Sequence, residues 1–304
     1  MAIQKEIWQN HIIGNLFKDN QFIMAVFNAD EYVLQGKVVH IPQAGGTPTV
    51  VKNRTDLPAS VTSRTDVDIT YPLDEFTSDP VKISNAETVE LSYDKRESVL
   101  NESERALRET IAENILITWA PAGATRMSRT TGENIEAHMP GATGYRKAFL
   151  PTDLKKAGKK LDKDGVSAED RNCLMSADMY DQFTDALTET QYRDYSRAYD
   201  EKTGVLGKLY GFTIYKRASV LTYTGDDVPV VKPYGAAGAE TDNDAVLCWQ
   251  KDCLERALGD VVFYEHMNDP QYYGDIYSSL IRMGGRIRRQ DSKGVMVIVQ
   301  DAGE

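Results

Sequence analysis

The clearest periodicity in the chain runs from Tyr93 to Trp119, YDKRESVLNESERALRETIAENILITW. Leu100, Leu107, Ile111, Ile115 and Trp119 recur at spacings of seven and four, which places them on one face of an α-helix. Ser103, Glu104, Arg108, Glu109 and Glu113 fill the other faces. Asp94 with Glu97 three residues on forms a start of capping-box type, and Pro121 stops the helix just past Trp119. At ~1.5 Å per residue the rod spans roughly 40 Å, longer than a small domain needs. Such a rod points to a building block rather than a catalyst.

The segments before the helix have a different character. Residues 1–30 read as helical, with Ile7, Trp8, Ile12, Ile13, Leu16 and Phe17 on one face and Phe22, Ile23, Val26 and Phe27 continuing a similar spacing. They fit either a first core helix or an arm packed on a neighbouring subunit. Tyr32 to Ile41 reads as a strand interrupted by Gly36. From there to residue 85 the chain is rich in Val, Ile and Thr and punctuated by Pro42, Pro48, Pro58, Pro72 and Pro80, a pattern of β-ribbons and open loops. A ribbon so poor in large apolar residues buries itself badly and needs a partner surface, inside or outside the subunit.

After the helix, Ala120 to Tyr145 is rich in Gly, Thr, Arg and Met and reads as a loop-like connection, with flexible joints around Gly132 and Gly144. Thr152 is the expected N-cap of a short basic helix from Asp153 to about Lys160. Arg171 to Leu187 reads as a buried strand that turns into a helix at Ser176, and Gln191 to Tyr199 as a second short helix. Val205 to Leu221 holds a strand bracketed by Gly207 and Gly211. Asp244 to Leu258 reads as a helix ended by Gly259. Val261 to His266, Ile276 to Arg289 and Val295 to Gln300 read as strands.

The bulk numbers narrow the function. With 304 residues, 41% hydrophobic and 27% charged, a packed core is feasible. The formal net charge of −11 is opposite in sign to what a protein built to grip nucleic acid carries. Three cysteines, Cys173, Cys248 and Cys253, do not make a disulfide framework and suit a reducing compartment. No apolar run approaches the roughly 20 residues of a membrane span, and the first ten residues lack a hydrophobic signal core. Synthesis and folding in the cytosol are therefore expected.

Catalytic and metal motifs are missing from the pattern. His11, His40, His138 and His266 are far apart, and none has a second His or Cys at metal-ligand spacing. Cys248 and Cys253, placed by this reading on a helix, point to different faces and read as small buried hydrophobes. In LDKDGVSAED the glycine, Gly165, is fourth from Asp162 instead of sixth, so the calcium-loop pattern fails. Gly204 to Lys208 lacks the spacing of a phosphate loop, and Asp226 with Asp227 reads as a solvated turn. Arg282, Arg286, Arg288 and Arg289 form a basic cluster, a candidate nucleic-acid site but more simply an ion-pairing strand face. No residue is singled out as catalytic, cofactor-binding or metal-ligating, and no cofactor is expected.

The order of parts resembles the major capsid proteins of tailed bacteriophages, the Hong Kong ninety-seven type coat fold. Asn172 to Phe183 (NCLMSADMYDQF) looks like that family's axial-domain element, in which a short strand enters a helix. Gly207 to Val220 (GKLYGFTIYKRASV) looks like its recurrent glycine, Gly-Phe and strand segment. Gly274 to Val299 is similar to the family's C-terminal end, where a glycine turn precedes a final strand. The resemblance implies an α+β phage coat fold: an N-terminal arm at 1–30, an extended β-hairpin loop at 31–85, a peripheral domain with the spine helix at 86–151, a compact axial domain at 152–260, and return strands to the peripheral domain at 261–304. It further implies a non-enzymatic subunit that self-assembles into hexamers and pentamers of an icosahedral shell around double-stranded DNA, without sequence-specific binding and without a membrane. A separate scaffolding protein and a portal would be its partners, and the virion its location after synthesis in the host bacterial cytoplasm. Some relatives weld subunits through a Lys–Asn isopeptide bond; Lys52 and Asn53 lie in the ribbon, but no motif transfers that chemistry to them. The alternatives are an encapsulin-like protein compartment, another virion component such as a tail protein, and a soluble α+β enzyme with an unrecognised site.

Overall fold

A computed structural model describes residues 9–12, 20–43, 50–55, 67–84, 95–289 and 291–303. Two sheets dominate. One has five strands: β1 (Phe27–Asn28), β5 (Asp74–Thr77), β6 (Val81–Ser84) and the long antiparallel pair β15 (Leu254–Asp269) and β16 (Gly274–Ile287). The other has seven, in the order β11 (Gly207–Leu209), β12 (Phe212–Lys216), β10 (Arg171–Met175), β14 (Asn243–Gln250), β17 (Val295–Val299) and β7 (Met127–Arg129), with β13 (Leu221–Tyr223) also on β14. A three-stranded ribbon, β2 (Val33–Leu34), β3 (Val38–Gln43) and β4 (Val67–Pro72), and the small pair β8 (Asn134–Glu136) and β9 (Tyr145–Lys147) complete the sheets.

The long helix, α1 (Lys95–Trp119), lies on β16 and β5. Leu107, Ile111, Ala112, Ile115, Leu116 and Trp119 are buried, so the 3.6-residue stripe faces the sheet as its spacing requires. Asp94 and the side chain of Leu100 lie outside the described residues. Trp119 closes the helix: its ring meets Phe22 edge-on at 6.3 Å and Trp249 at 6.4 Å, and its Nε1 donates to the Glu255 carbonyl at 3.1 Å. One side chain thereby ties the helix to both sheets.

On the seven-stranded sheet pack α2 (Pro151–Lys163), α3 (Ala177–Asp185) and α4 (Glu189–Ser196). The basic helix starts one residue before the expected Thr152 cap, because Pro151 is pre-set for a first helical turn and Asp153 accepts the Leu150 N–H at 3.3 Å. Asp153 is buried and also holds Thr131 through its N–H (3.0 Å) and Oγ1 (2.6 Å). The strand-to-helix turn at Ser176 is as expected, with its Oγ accepting the Met179 N–H at 3.2 Å.

Several expectations need correction. Residues 20–30 are not helical in the α sense: Gln21–Met24 is a 3-10 turn, and Phe27–Asn28 adds a short parallel strand to β15. Residues 9–12 are helical, and the rest of the segment before Asn20 lies outside the described residues. Asp244 to Leu258 is not a helix but the end of one strand, a 3-10 turn at Lys251–Cys253 and the start of another. Every residue of β14 is buried, and its middle, Ala245 to Trp249, is apolar on both faces, so the two-residue alternation that marks a strand is erased there. Gly132 is no flexible joint: its N–H donates to the Ala148 carbonyl at 3.0 Å, and a Cβ there would sit 2.5 Å from that oxygen. The final strand, β17, lies inside the seven-stranded sheet between β14 and β7 rather than in the sheet under α1, since Val295 to Val299 is apolar on both faces and needs cover on both.

Candidate assembly surfaces

The ribbon is the most prominent surface feature. Val33–Leu34 and Val38–Val39 pair across a turn in which Gln35 (φ 52°) and Gly36 (φ 64°) both take the left-handed conformation, so the strand expected from Tyr32 to Ile41 is a tight hairpin. Val38–Gln43 then pairs with Val67–Pro72 in unbroken register, Val38 opposite Pro72 and Gln43 opposite Val67. Between these strands, residues 50–55 are all exposed, and Val50 is 92% exposed. Apolar side chains held in water this way form no core within the subunit.

The foot of the ribbon is anchored. Ala29, Val39, Leu73 and Ala257 form a small buried cluster, with Phe27, Val33 and Tyr71 packed on it. Leu73 fits against two glycines of the long strand pair: a Cβ at Gly259 would lie 2.6 Å, and one at Gly284 2.9 Å, from its methyl groups. Beyond it, Asp74–Thr77 and Val81–Ser84 pair with β16. The freestanding part of the 31–85 segment is therefore shorter than its sequence suggests, because residues 74–84 are paired strands of the five-stranded sheet.

Charge is neutralised within the chain at this foot. Arg282 donates to Glu75 at 2.7 Å and pairs with Asp260 at 3.0 Å. Glu255 is fully buried and takes Arg286 at 2.5 Å and Arg288 at 3.3 Å. The guanidinium of Arg286 also covers the Tyr71 ring at 5.4 Å, and that of Arg288 covers Phe27 at 3.9 Å. Burial, followed by the Glu255 charge, pushes the Tyr71 hydroxyl well above the usual phenol range. Arg289 pairs with Asp291. The basic cluster of the C-terminal strands is thus internally paired, which removes the reason to read it as a nucleic-acid site. Nothing in sequence flags Glu255, because its partners sit about 30 residues downstream; the Gly284–Gly285 pair inside a strand is the one local signal of close approach.

A second exposed feature is the far end of the β15–β16 pair. Tyr264 (48%), Tyr272 (52%) and Tyr273 (78%) present aromatic rings to solvent around its tip. Aromatic side chains in such positions are enriched where proteins meet one another.

The remaining candidate chemistry does not converge on a catalytic arrangement. His11 meets Glu104 at 3.2 Å and His266 meets Asp269 at 2.8 Å, while His40 is on the ribbon. A cavity of about 360 Å³ is lined by His138, Ser176, Asp178, Lys232, Asp242 and Asp244 among others. In it the Ser176 hydroxyl donates to Asp244, and His138 Nε2 meets the same carboxylate oxygen at 3.0 Å. A nucleophilic triad needs the histidine between serine and acid; here the carboxylate stands between hydroxyl and imidazole, so the triad order is absent. Burial opposes charge on His138, but the hydrogen bond and charge of Asp244 outweigh it and hold its pKa above the usual value. Asp162 and Asp164, the acids of the failed calcium loop, pair with Arg171 (2.7 Å) and with Arg126. Asp226 and Asp227 lie in an exposed turn. Among the described residues no group of three His, Cys, Asp or Glu side chains is placed to hold a metal ion, and no helix is long and apolar enough to cross a membrane.

Among the described residues of this α+β chain, the exposed ribbon segment and the aromatic hairpin tip are two open apolar surfaces. Comparison with solved structures gives the particular fold. The capsid of Cyanophage P-SCSP1u matches with a TM-score of 0.62 and 18% identity over 92% of this chain and 87% of that one. The capsid of Ralstonia phage GP4 matches at 0.62 and 12% over 92% and 88%. A virus-like particle from Pyrococcus furiosus matches at 0.52 and 11% over 97% and 98%. No family model and no curated protein matches the chain. The chain has the fold of tailed-phage capsid proteins.

Proposed function

We propose that this chain is a major capsid protein, whose copies assemble as hexamers and pentamers into an icosahedral shell that encloses double-stranded DNA in a virion. The observation that carries the reading is the match of nine-tenths of the chain to capsid structures of similar length. The exposed Val50 and Val51 of the ribbon and the tyrosines of the hairpin tip then acquire partners in neighbouring copies. Contacts of this kind are weak singly and strong when repeated around a closed shell. In this assignment residues 1–30 are the arm and the ribbon is the intersubunit loop. The α1 sheet forms the peripheral domain, and the seven-stranded sheet with its helices forms the axial domain. The role is structural, with a separate scaffolding protein and a portal as partners.

The likeness to the Pyrococcus furiosus particle keeps a second reading in view, a compartment that holds protein cargo. Expression of the chain alone, followed by negative-stain electron microscopy, tests the proposal. Closed shells or ring-shaped capsomers are the expected result. A species that stays monomeric at high concentration by light scattering overturns both readings. Nuclease-protected nucleic acid inside particles purified with their natural contents favours a genome shell; a co-purifying enzyme favours the compartment.

A further inference from the structure

Two thiols meet at the centre of the seven-stranded sheet. Cys173 on β10 and Cys248 on β14 are directly opposite in an antiparallel pair, and their Sγ atoms are 3.5 Å apart. Both side chains are completely buried, and both cysteines are free. Opposite residues in antiparallel strands have Cα atoms about 4.5–5.5 Å apart. That separation falls inside the roughly 4.4–6.8 Å window a disulfide needs, so the backbone already has the right span. Side-chain rotation alone has to shorten the sulfur contact. The third cysteine, Cys253, lies in the following 3-10 turn beside Gln250.

We propose that Cys173 and Cys248 are an oxidation site: in the folded chain they close to a cross-strand disulfide on exposure to a small peroxide-class oxidant. In a reducing cytoplasm the pair stays as thiols, and outside a cell the oxidised form is favoured. One cysteine thiolate attacks the O–O bond of hydrogen peroxide, giving a sulfenic acid and hydroxide, which takes up the thiol proton as water. The second thiol attacks the sulfenic sulfur; the S–S bond forms, the S–O bond breaks, and a second water leaves. Two thiols are oxidised and one peroxide is reduced to two waters. The neighbours across the ladder are Ile214 beside Cys173 and Met296 beside Cys248, so no cation activates either thiol. Burial also raises the Cys173 pKa. The reaction is therefore slow and open to small neutral oxidants rather than to bulky disulfides. The bond would span positions 75 residues apart, enclosing α3, α4 and β12 in one covalent loop. This site stands whether or not the shell reading does.

The test uses the full chain in its native state, assembled if it assembles. The protein is treated with hydrogen peroxide, quenched with catalase, then unfolded in an alkylating reagent and mapped as peptides without reduction. The expected product is a peptide pair linked through Cys173 and Cys248, lighter by two hydrogens, with Cys253 unlinked, and restored to two alkylated cysteines by dithiothreitol. The thermal midpoint of the oxidised protein should rise on the order of 5 °C. The Cys173→Ala and Cys248→Ala variants should show no such rise, and mapping of the unsubstituted chain decides the matter even if either variant folds poorly. Recovery of both cysteines alkylated after peroxide treatment, their separate conversion to sulfinic acids, or a linkage through Cys253 overturns the proposal.

Discussion

The foot of the ribbon can be tested by a double-mutant cycle between Leu73 and Gly284. Leu73 is 8% exposed and belongs to the small cluster with Ala29, Val39 and Ala257. Truncation of a buried leucine to alanine costs about 2–5 kcal/mol, and a site at the edge of a small cluster, free to collapse, belongs at the lower end, about 2–3 kcal/mol. Gly284→Ala adds one methyl group. Its Cβ would lie 2.9 Å from Leu73 Cδ2, 3.5 Å from Tyr71 Cε2 and 3.6 Å from Leu73 Cα. Only the first is closer than ordinary contact, so the single substitution costs about 1–3 kcal/mol of overpacking. Once Leu73 is alanine the offending atom is gone, and the new methyl group partly fills the space left behind. The double variant is expected to be more stable than the sum of the singles by about 1–2 kcal/mol. Urea unfolding of the unassembled subunit, followed by the fluorescence of the buried Trp119 and Trp249, reads the three differences at constant m. Additivity within about 0.5 kcal/mol would refute the claim that this pair seats the ribbon on the long hairpin.

Three further outcomes are expected. Replacing residues 44–66 by a two-residue Asn-Gly turn joins Gln43 to Val67, which are already opposite, and leaves the Leu73 cluster intact; the subunit should melt within a few degrees of the parent while shells no longer appear by microscopy, and shells of normal size would sink the ribbon's assigned role. His138 has a raised folded pKa, so its contribution to stability is fully present below about pH 6.5 and is lost as pH rises through the folded value; His138→Gln should flatten that loss, and parallel stability–pH curves for the two proteins would contradict it. Glu255→Gln, at a fully buried carboxylate that neutralises two arginines, should cost about 3 kcal/mol or more in urea unfolding, whereas Glu75→Gln at the half-exposed partner of Arg282 should cost less than about 1 kcal/mol; equal effects would mean that burial does not set the strength of these pairs.

Local patterns carried much of this molecule. The spine helix followed from one stripe of apolar residues, and its burial from Leu107 to Trp119 bears that out. The strand-to-helix turn expected at Ser176 is present, whereas the short helix expected over Gln191 to Tyr199 spans Glu189–Ser196, shifted toward its Thr188 cap. Expectations failed where environment, not local order, sets the conformation. Residues 245–249 are an unbroken apolar run, which fits a helix and a doubly covered strand alike; their place in the middle of the sheet decides between them. Gly132 looked like a hinge because a glycine's neighbours in space are absent from the linear pattern, and the Ala148 carbonyl that requires it belongs to another segment.

The chain by itself determined its periodic elements, its acidic balance and the poverty of the ribbon in core-forming residues, because each depends on residues within a few turns or strands of one another. Only the tertiary structure decided that Glu255 neutralises Arg286 and Arg288, that Leu73 fits between Gly259 and Gly284, that Asp244 accepts the hydrogen bond of the Ser176 hydroxyl, and that Cys173 faces Cys248. Those relations join segments far apart along the backbone, and they arise from sheet register and from the exclusion of water, neither of which a local pattern of side chains specifies.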